Sequence, residues 1–400
     1  MRTRPGATSR RLLGDLISGG PAHRADLSRA LGVSRTTITN LVTGLTDTGV
    51  LIPLTGDAPA TGTNVAERPP LKQQLAISAR CGVLTSVVFH MTSVAVTVGA
   101  LDGRILTTGA AGFSRDATGT ERMDAAHDLL EQMLTEAEVA AADVLLLHLA
   151  VNAQCDRESG EVIAEQAAGP WRGTNPKLIA AEWTPAPVLL ENTARLTGLA
   201  EYHSLGDPGP RSLVYVHLSW GVTMGQVVDG AIVSGSHGGA GELGHVSIDP
   251  MGPPCACANR GCLMLYAGTD IVTERVRAVL GPEAEIADAV AAVAEGSRSC
   301  TTIVEDVGET VGRALAMVCN VVDPDVIVLG GDLAAVGATL SDAVRASVQR
   351  RALPLVTRRV DVMTATTAPS DQHAPGRAAL AAMRADEALV ESLITTVLTS

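Results

Sequence analysis

One histidine and three cysteines lie close together along the chain, at a spacing that suits metal coordination. They are His245, Cys255, Cys257 and Cys262, an H-x9-C-x-C-x4-C pattern in which Asn259-Arg260-Gly261 permits a tight loop. Three thiolates and one imidazole complete a tetrahedral shell with no open position, which is typical of structural rather than catalytic zinc. The alternative interpretation is a set of buried free thiols beside an unrelated histidine. The spacing favours one structural Zn2+ per chain.

A second group of polar side chains lies near the amino terminus, on a segment with helical periodicity. Ser34 can cap a helix that Gly49 would end, with a buried face of Ile38, Leu41, Val42 and Leu45. The outward face then carries hydroxyl and amide groups with one arginine: Ser34, Arg35, Thr36, Thr37, Thr39 and Asn40. Such side chains read base edges in the major groove and also bind phosphates. We expect these six residues to bind DNA.

The flanking elements complete a recognisable module. Leu12, Leu13, Leu16 and Ile17 predict a first helix that ends at Gly19-Gly20, and a short second helix ends at Gly32. Residues 50–54 and the alternating residues 71–77 predict a two-stranded wing, with a Pro/Gly/Thr-rich tip or linker at 55–70. The pattern predicts a winged helix-turn-helix. The alternative is a three-helix protein-interaction module.

Charge and composition limit the classes of function. Residues 1–72 hold nine Lys or Arg against five Asp or Glu, although the whole chain has a net charge of −13. This asymmetry favours a basic module that binds a polyanion, followed by an acidic body that does not bind one. Eight aromatics in 400 residues argue against a base-stacking platform for single-stranded nucleic acid.

Length and hydropathy indicate several globular domains. With 46% hydrophobic and 18% charged residues, the chain has the composition of a globular protein. Its 400 residues are more than one hydrophobic core usually organises. The longest apolar run, residues 144–151, is broken by His148 and is shorter than the ~18 residues that span a bilayer. No secretory cleavage pattern follows the Arg-rich start. We therefore expect a cytoplasmic protein with no membrane partner.

The body beyond the winged helix resembles the ROK family of repressors, open reading frames and sugar kinases. The resemblance rests on Ala240-Gly241-Glu242-Leu243-Gly244-His245 followed by the cysteine cluster, and on the strand with Gly330-Gly331. It implies an α/β fold of two actin-like, ribonuclease-H-like lobes with a ligand cleft between them. Alternation of apolar strands with Ala-rich helices agrees with an α/β fold. The expected domains are a winged helix at 1–72, a first lobe at 73–205, and a second lobe at 206–400 with the zinc loop and C-terminal helices.

Departures from the kinase pattern of this family bear on function. The Asp-x-Gly-Gly-Thr phosphate loop corresponds to residues 89–93, which lack glycine, and the second phosphate loop carries Trp220 before its glycine. Phosphate cradles need glycines so that backbone amides converge. The kinases' catalytic Asp corresponds to Thr193, a neutral alcohol that cannot act as general base. The resemblance with these losses predicts a protein that is not an enzyme.

The family's sugar site is only partly retained. Resemblance implies an effector site at Asn192, Glu242 and His245, with Trp171 near the ligand, while Met264 replaces a sugar-binding Glu. The prediction is a DNA-binding regulator, most simply a repressor, that binds a sugar or sugar derivative and acts on a palindromic operator as a homodimer or tetramer. The alternatives are a sugar kinase with an attached DNA-binding module, and a regulator whose decayed cleft serves only for assembly.

Overall fold

The computed structural model describes residues 6–54, 74–163, 169–206, 209–368 and 371–399. The wing tip predicted at 55–70 lies outside these residues, as does the beginning of the predicted second wing strand. Within the described ranges, no helix combines the length and the apolar character that crossing a bilayer requires.

The amino-terminal module contains three helices and a small antiparallel sheet. Its elements are α1 (Ala7–Gly19), β1 (Ala22–His23), α2 (Arg24–Leu31), α3 (Arg35–Asp47), β2 (Leu51–Leu54) and β3 (Gln74–Ile77), with strand order β1-β3-β2. Pairing of β2 with β3 agrees with the predicted wing. The helix ends also agree, because α2 ends at Gly32 in the left-handed conformation that glycine adopts without strain.

Helix α3 begins where the capping signal predicts it. The Ser34 hydroxyl accepts a hydrogen bond of 3.1 Å from the backbone N–H of Thr37, an N-cap that stabilises a helix by about 1 kcal/mol. Ile38 and Val42 are fully buried in the module, whereas Leu41 and Leu45 are half-buried against the same core. The buried face thus fixes the rotation of α3 and leaves its other face exposed.

The first lobe is a five-stranded sheet with order β6-β5-β4-β7-β8. Its elements are β4 (Val83–Phe89), β5 (Ser93–Ala100), β6 (Ile105–Gly112), α4 (Gly119–Glu136), β7 (Val144–Val151), α5 (Pro176–Ala180) and β8 (Val188–Asn192). Strands β4, β5 and β6 form an antiparallel meander, and β7 and β8 extend it in parallel from β4. Helix α4 covers one face with apolar side chains such as Met123 and Leu130.

The second lobe repeats this topology after the connecting helix α6 (Thr193–Ser204). Its elements are β9 (Ser212–Leu218), β10 (Val222–Val228), β11 (Ala231–Ile232), α7 (Met264–Ala267), α8 (Thr269–Leu280), α9 (Ile286–Ala294), α10 (Arg298–Val322), β12 (Val326–Gly330), α11 (Ala338–Arg351), α12 (Pro354–Thr357) and β13 (Asp361–Thr364). Strand order is β11-β10-β9-β12-β13, again a meander extended by two parallel strands. Two such lobes confirm the predicted actin-like α/β fold.

Two C-terminal helices, α13 (Ala374–Ala385) and α14 (Glu387–Thr399), return to the start of the chain. Helix α13 packs on α6 and β4, and α14 packs on α1. Leu393, Ile394 and Val397 share one core with Leu12 and Leu16 of the amino-terminal module. The division at residue 206 stays a prediction, but the helices that it assigns to the second lobe contact the first lobe and the amino-terminal module.

A buried carboxylate also joins the amino-terminal module to the first lobe. Asp102, in the turn between β5 and β6, accepts a hydrogen bond of 2.7 Å from the backbone N–H of Ile77 at the end of β3. Arg104 binds the same carboxylate at 3.0 Å and donates to the Ile77 carbonyl at 2.6 Å. Both polar groups of Ile77 are therefore held by side chains of the first lobe.

Candidate metal centre and ligand cleft

The structure brings together the four residues of the predicted metal site. His245 ends a short helical turn, and the three cysteines lie in the loop that follows it. One ligand atom from each of His245, Cys255, Cys257 and Cys262 lies within 4.8 Å of all the others. The Sγ atoms of Cys257 and Cys262 are 3.6 Å apart, and Cys255 Sγ lies 3.7 Å from His245 Nδ1.

Backbone geometry explains how one loop brings three thiols together. The N–H of Cys255 donates to the carbonyl of Asn259 at 2.8 Å, which closes a tight turn around Cys257. Gly261 has a φ of +59°, and a Cβ there would lie 1.7 Å from the carbonyl oxygen of Asp249. Only glycine fits this position without moving the backbone. The loop geometry therefore depends on the glycine next to Cys262.

Interatomic distances test whether this donor set fits a metal. A tetrahedral zinc with Zn–S bonds of about 2.3 Å separates its ligand atoms by about 3.8 Å. The separations of 3.6 and 3.7 Å match that edge length. Cys255 and Cys262 are buried, as in a closed structural site. The cluster could hold a metal ion that cross-links the loop to the turn at His245.

Glu242 lies immediately before the turn that carries His245. It is the residue that precedes the helical turn Leu243–His245, so the metal loop and this carboxylate share one rigid segment. Burial raises the pKa of Glu242, and the nearby Arg195 guanidinium partly opposes that rise. A desolvated carboxylate of this kind can accept hydrogen bonds from hydroxyl groups of a ligand.

A buried ion pair joins the two lobes where they meet. Arg195 of α6 binds the Glu191 carboxylate at 2.6 Å and donates to the carbonyl of Ala240 in the second lobe at 2.6 Å. Ser234, also of the second lobe, donates to Glu191 at 2.7 Å. Burial acts to raise the pKa of Glu191, but Arg195, the Asn192 amide and Ser234 together hold it below its ordinary value. Sequence reasoning missed this network, because Glu191 lies in β8 and Arg195 in α6, and no single helix carries both residues.

Two of the predicted effector residues have their polar groups bound by the protein itself. Asn192 Oδ1 caps α6 by accepting from the Ala194 N–H at 2.8 Å, and its Nδ2 donates to the Ala153 carbonyl at 3.2 Å. Trp171 is 2% exposed, and its Nε1 donates to Asn152 Oδ1 at 2.9 Å. Asn192 and Trp171 thus donate hydrogen bonds to Ala153 and Asn152, two adjacent residues of one loop. Glu242 and His245 lie together in the other lobe.

The turn between β4 and β5 occupies the place where the resemblance puts a phosphate loop. His90 Nε2 lies 3.1 Å from the Gln372 carbonyl oxygen, and Ser93 donates to Gln372 Oε1 at 2.9 Å. The carbonyl of Met91 accepts from the buried Arg122 at 3.0 Å. Burial lowers the pKa of His90, which favours a neutral ring. The polar groups of the turn are therefore bound by Arg122 and by both the main chain and the side chain of Gln372.

The turn between β9 and β10 contacts the opposite lobe. Trp220 Nε1 donates to the Asp270 carboxylate, which also binds Arg115 of the first lobe at 3.1 Å. The Arg115 guanidinium lies 5.7 Å from the centre of the Trp220 ring. The bulky residue in the second phosphate segment thus takes part in a contact between the lobes.

All six predicted DNA-binding residues lie together on one exposed surface. Ser34, Arg35, Thr36, Thr37, Thr39 and Asn40 are each exposed at or near the start of α3. The Thr39 hydroxyl donates to the Arg35 carbonyl at 2.8 Å, and the Ser34 and Thr37 hydroxyls are 2.8 Å apart. Local hydrogen bonds therefore orient three of the hydroxyls, while Arg35 and Asn40 project from the same two turns.

Known proteins resemble this chain in sequence and in structure. A Bacillus spizizenii protein named xylose repressor is 21% identical over 343 residues, 86% of both chains. A Halalkalibacterium halodurans protein named glucokinase is 27% identical over 60% of this chain and 77% of its own length. A solved ROK family transcriptional regulator, described as a homologue of the E. coli MLC protein, superimposes with a TM-score of 0.72 at 22% identity, covering 98% of both chains.

The family model described as ROK family matches residues 86–384, most of the chain and both lobes with the cysteine loop. This match confirms the resemblance inferred from the residues around His245. The chain belongs to the ROK family.

Proposed function

We propose that this protein is a DNA-binding transcriptional regulator, most simply a repressor, whose cleft binds a small molecule without transforming it. The observation that carries the proposal is the exposed polar face of α3, on a three-helix module with an antiparallel wing. The relative named xylose repressor, which aligns over most of both chains, supports it. A DNA-binding role implies a cytoplasmic protein that acts at the chromosome.

The DNA interface consists of Ser34, Arg35, Thr36, Thr37, Thr39 and Asn40 of each copy. A recognition helix contacts base edges with its amino-terminal residues, which is where these side chains lie. Ser34 also has a structural role as N-cap, so its replacement would change both helix stability and contact. Arg35 is the residue whose removal most directly tests base or phosphate recognition, because its side chain makes no cap.

The metal centre holds one structural zinc per chain in this proposal. The Cys3His donor set, its edge lengths and its burial support zinc over harder cations, which prefer oxygen ligands. Zinc would hold the turn at His245, which directly follows Glu242, and so keep one wall of the cleft in place. It has no open position for catalysis.

The cleft is an effector site built on Glu242 and His245, with Asn192 and Trp171 supporting its opposite wall. A sugar or sugar derivative is the ligand class favoured by family membership and by a desolvated carboxylate that can accept from hydroxyls. The second candidate function is a sugar kinase, favoured by the relative named glucokinase. Thr193 in place of a catalytic carboxylate, and the turn at His90 bound to Gln372, support the regulator over the kinase.

Selection of duplex DNA from a random library by the full chain, followed by fluorescence anisotropy on the selected duplex, tests the proposal. We expect a two-fold symmetric sequence, and we expect Arg35→Ala to weaken specific binding by about 1–3 kcal/mol. Arg359→Ala, an exposed arginine of the second lobe, is the matched control and should bind as the wild type does. Enrichment of no sequence, or equal affinity of Arg35→Ala and wild type, would contradict a DNA-reading role for α3.

A further inference from the structure

The side chain of Arg384 joins the last turn of α13 to the amino-terminal module. Its Nε donates to the carbonyl of Ile17 at 2.6 Å, and its Nη2 donates to the carbonyl of Ser18 at 3.3 Å. Both acceptors lie in the last turn of α1, where helical carbonyls lack partners within the helix and carry a partial negative charge. That turn has no basic residue of its own. An arginine of another helix therefore supplies the positive charge at this helix end.

The turn between β5 and β6 completes this contact from the first lobe. Gly103, with a φ of +87°, lies so close that a Cβ on it would be 1.9 Å from Nη1 of Arg384. Its neighbour Asp102 is 1% exposed and, together with Arg104, binds the polar groups of Ile77 at the end of β3. Burial lowers the pKa of Arg384 and the Asp102 carboxylate opposes that change, but an arginine stays charged at neutral pH. We call residues 102–104 and Arg384 the joint.

The joint contacts the amino-terminal module at two separate points, the end of α1 and the end of β3. Leu380 and Met383 of α13 also share one apolar core with Leu13 and Leu16 of α1, but apolar contact by itself is non-directional. Hydrogen bonds have preferred distances and angles, so bonds at two points resist rotation of the module on the body. The joint therefore holds the module, and α3 with it, at a fixed angle.

We infer that Arg384 is a positioning residue for DNA binding, and that the joint makes the protein selective for the spacing between the two halves of its operator. The inference rests on the proposed function, in which two modules bind one two-fold symmetric duplex. A module held at a fixed angle brings its recognition helix to the major groove at one separation, because about five added base pairs turn the second half-site to the opposite side of the duplex. In this account α3 reads the sequence, and Arg384 determines where α3 can reach.

Fluorescence anisotropy on duplexes with two copies of the selected half-site, moved apart one base pair at a time, measures this selectivity. We expect the full-length wild type to bind its best spacing at least about tenfold more tightly than a spacing longer by about half a turn, because both half-sites can then be reached only by breaking charged hydrogen bonds. In Arg384→Met, which keeps an unbranched apolar side chain, the preference should fall to about twofold or less. A duplex with one half-site should bind wild type and variant equally.

Two further variants of α13 separate positioning from general stability. Arg384→Lys retains the charge and can donate to one of the two carbonyls, so it should restore part of the spacing preference. Arg377→Met is the matched control on the same helix, because Arg377 is exposed and pairs with Asp371 in the loop before α13. It should show the spacing preference of the wild type.

A glycine pair tests the joint from the other side. Gly103→Ala should displace the guanidinium of Arg384 and relax the spacing preference as Arg384→Met does. Gly296→Ala is the control for backbone strain, since Gly296 has a φ of +88° and open space around its Cβ position among the described residues. Thermal unfolding followed by circular dichroism checks that each variant is folded.

A wild type that binds every spacing equally would overturn the inference. An equal loss of affinity at all spacings in Arg384→Met would also overturn it, because Arg384 would then only stabilise the module. The same conclusion would follow if Gly103→Ala kept the spacing preference of Gly296→Ala. Failure of the full chain to select any DNA sequence would instead contradict the proposed function itself, so the two failures can be told apart.

Discussion

The hydroxyl of Thr193 donates a hydrogen bond of 2.9 Å to the carbonyl oxygen of Phe89. This buried contact joins the start of α6 to the end of β4, directly before the turn that corresponds to a phosphate loop in the kinases of the family. The threonine is thus part of the framework that joins α6 to the sheet of the first lobe.

Replacement of Thr193 by Asp should not create a kinase and should destabilise the protein. A carboxylate cannot donate to the Phe89 carbonyl, and its charge would be buried, so we expect a loss of about 1–3 kcal/mol in the free energy of unfolding. Urea denaturation measures the loss, and a coupled assay with ATP and glucose measures phosphorylation. Thr197→Asp, one turn further along α6 and partly exposed, is the control. Sugar phosphorylation by Thr193→Asp above the wild-type background would refute this prediction.

The zinc content of the protein should depend on Cys257 and should not depend on thiols outside the cluster. Cys257→Ser removes one of four ligands, and structural zinc contributes directly to folding, so we expect loss of zinc and a lower melting temperature. Elemental analysis of protein purified without added metal gives the stoichiometry, expected at one zinc per chain. Cys81→Ser, a half-buried thiol outside the cluster, should retain the metal. Full zinc in Cys257→Ser would exclude the four-ligand site.

His148 should make the protein less stable as the solution becomes acidic. Burial lowers the pKa of His148 from 6.5 to about 4, and its Nδ1 has no hydrogen-bond partner among the described residues. In the unfolded chain the His148 ring takes up a proton below about pH 6.5, whereas in the folded chain it does so only near pH 4. Stability is therefore complete above 6.5 and falls as the pH decreases toward 4, by at most about 3 kcal/mol.

His148→Leu removes this titration and gives the test. The difference in free energy of unfolding between wild type and variant should change with pH across this window and remain constant above it. Urea denaturation at a series of pH values supplies both curves, and carboxyl titrations common to the two proteins cancel. A constant difference between pH 7 and pH 4 would show that folding does not lower the pKa of this ring.

The docking of α14 on α1 should stabilise the amino-terminal module. Ile394 is buried against the module, and its Cδ1 lies 3.5 Å from where a Cβ on Gly14 would be. Ile394→Ala should cost about 2–4 kcal/mol by leaving a cavity, and should weaken DNA binding more than ligand binding in the cleft. Leu178→Ala, an exposed leucine of α5, is the control for stability. Equal melting temperatures for Ile394→Ala and wild type would contradict this account.

Local signals explain which features could be predicted from sequence. The cap at Ser34, the glycine at 32 and the spacing of the cysteines all act within a few residues, and the structure places α3 and the metal cluster accordingly. The contact of Arg195 with Ala240 depends on how two lobes close, which no short segment encodes. The apolar side of α14 indicates burial but does not indicate that α1 would cover it. Trp171, judged from its type alone, gave no sign that Asn152 would bind its ring nitrogen.

The return of α14 to α1 has a consequence for biosynthesis. Arg10 pairs with Glu391 across a sequence separation of 381 residues, so α1 gains this packing partner only after more than 370 further residues have been synthesised. Contacts between residues so far apart in sequence form late, and the apolar surface that they bury stays exposed until then. A chain that stops before α14 would therefore carry an incomplete amino-terminal module, with Leu12 and Leu16 less covered and accessible to chaperones and proteases.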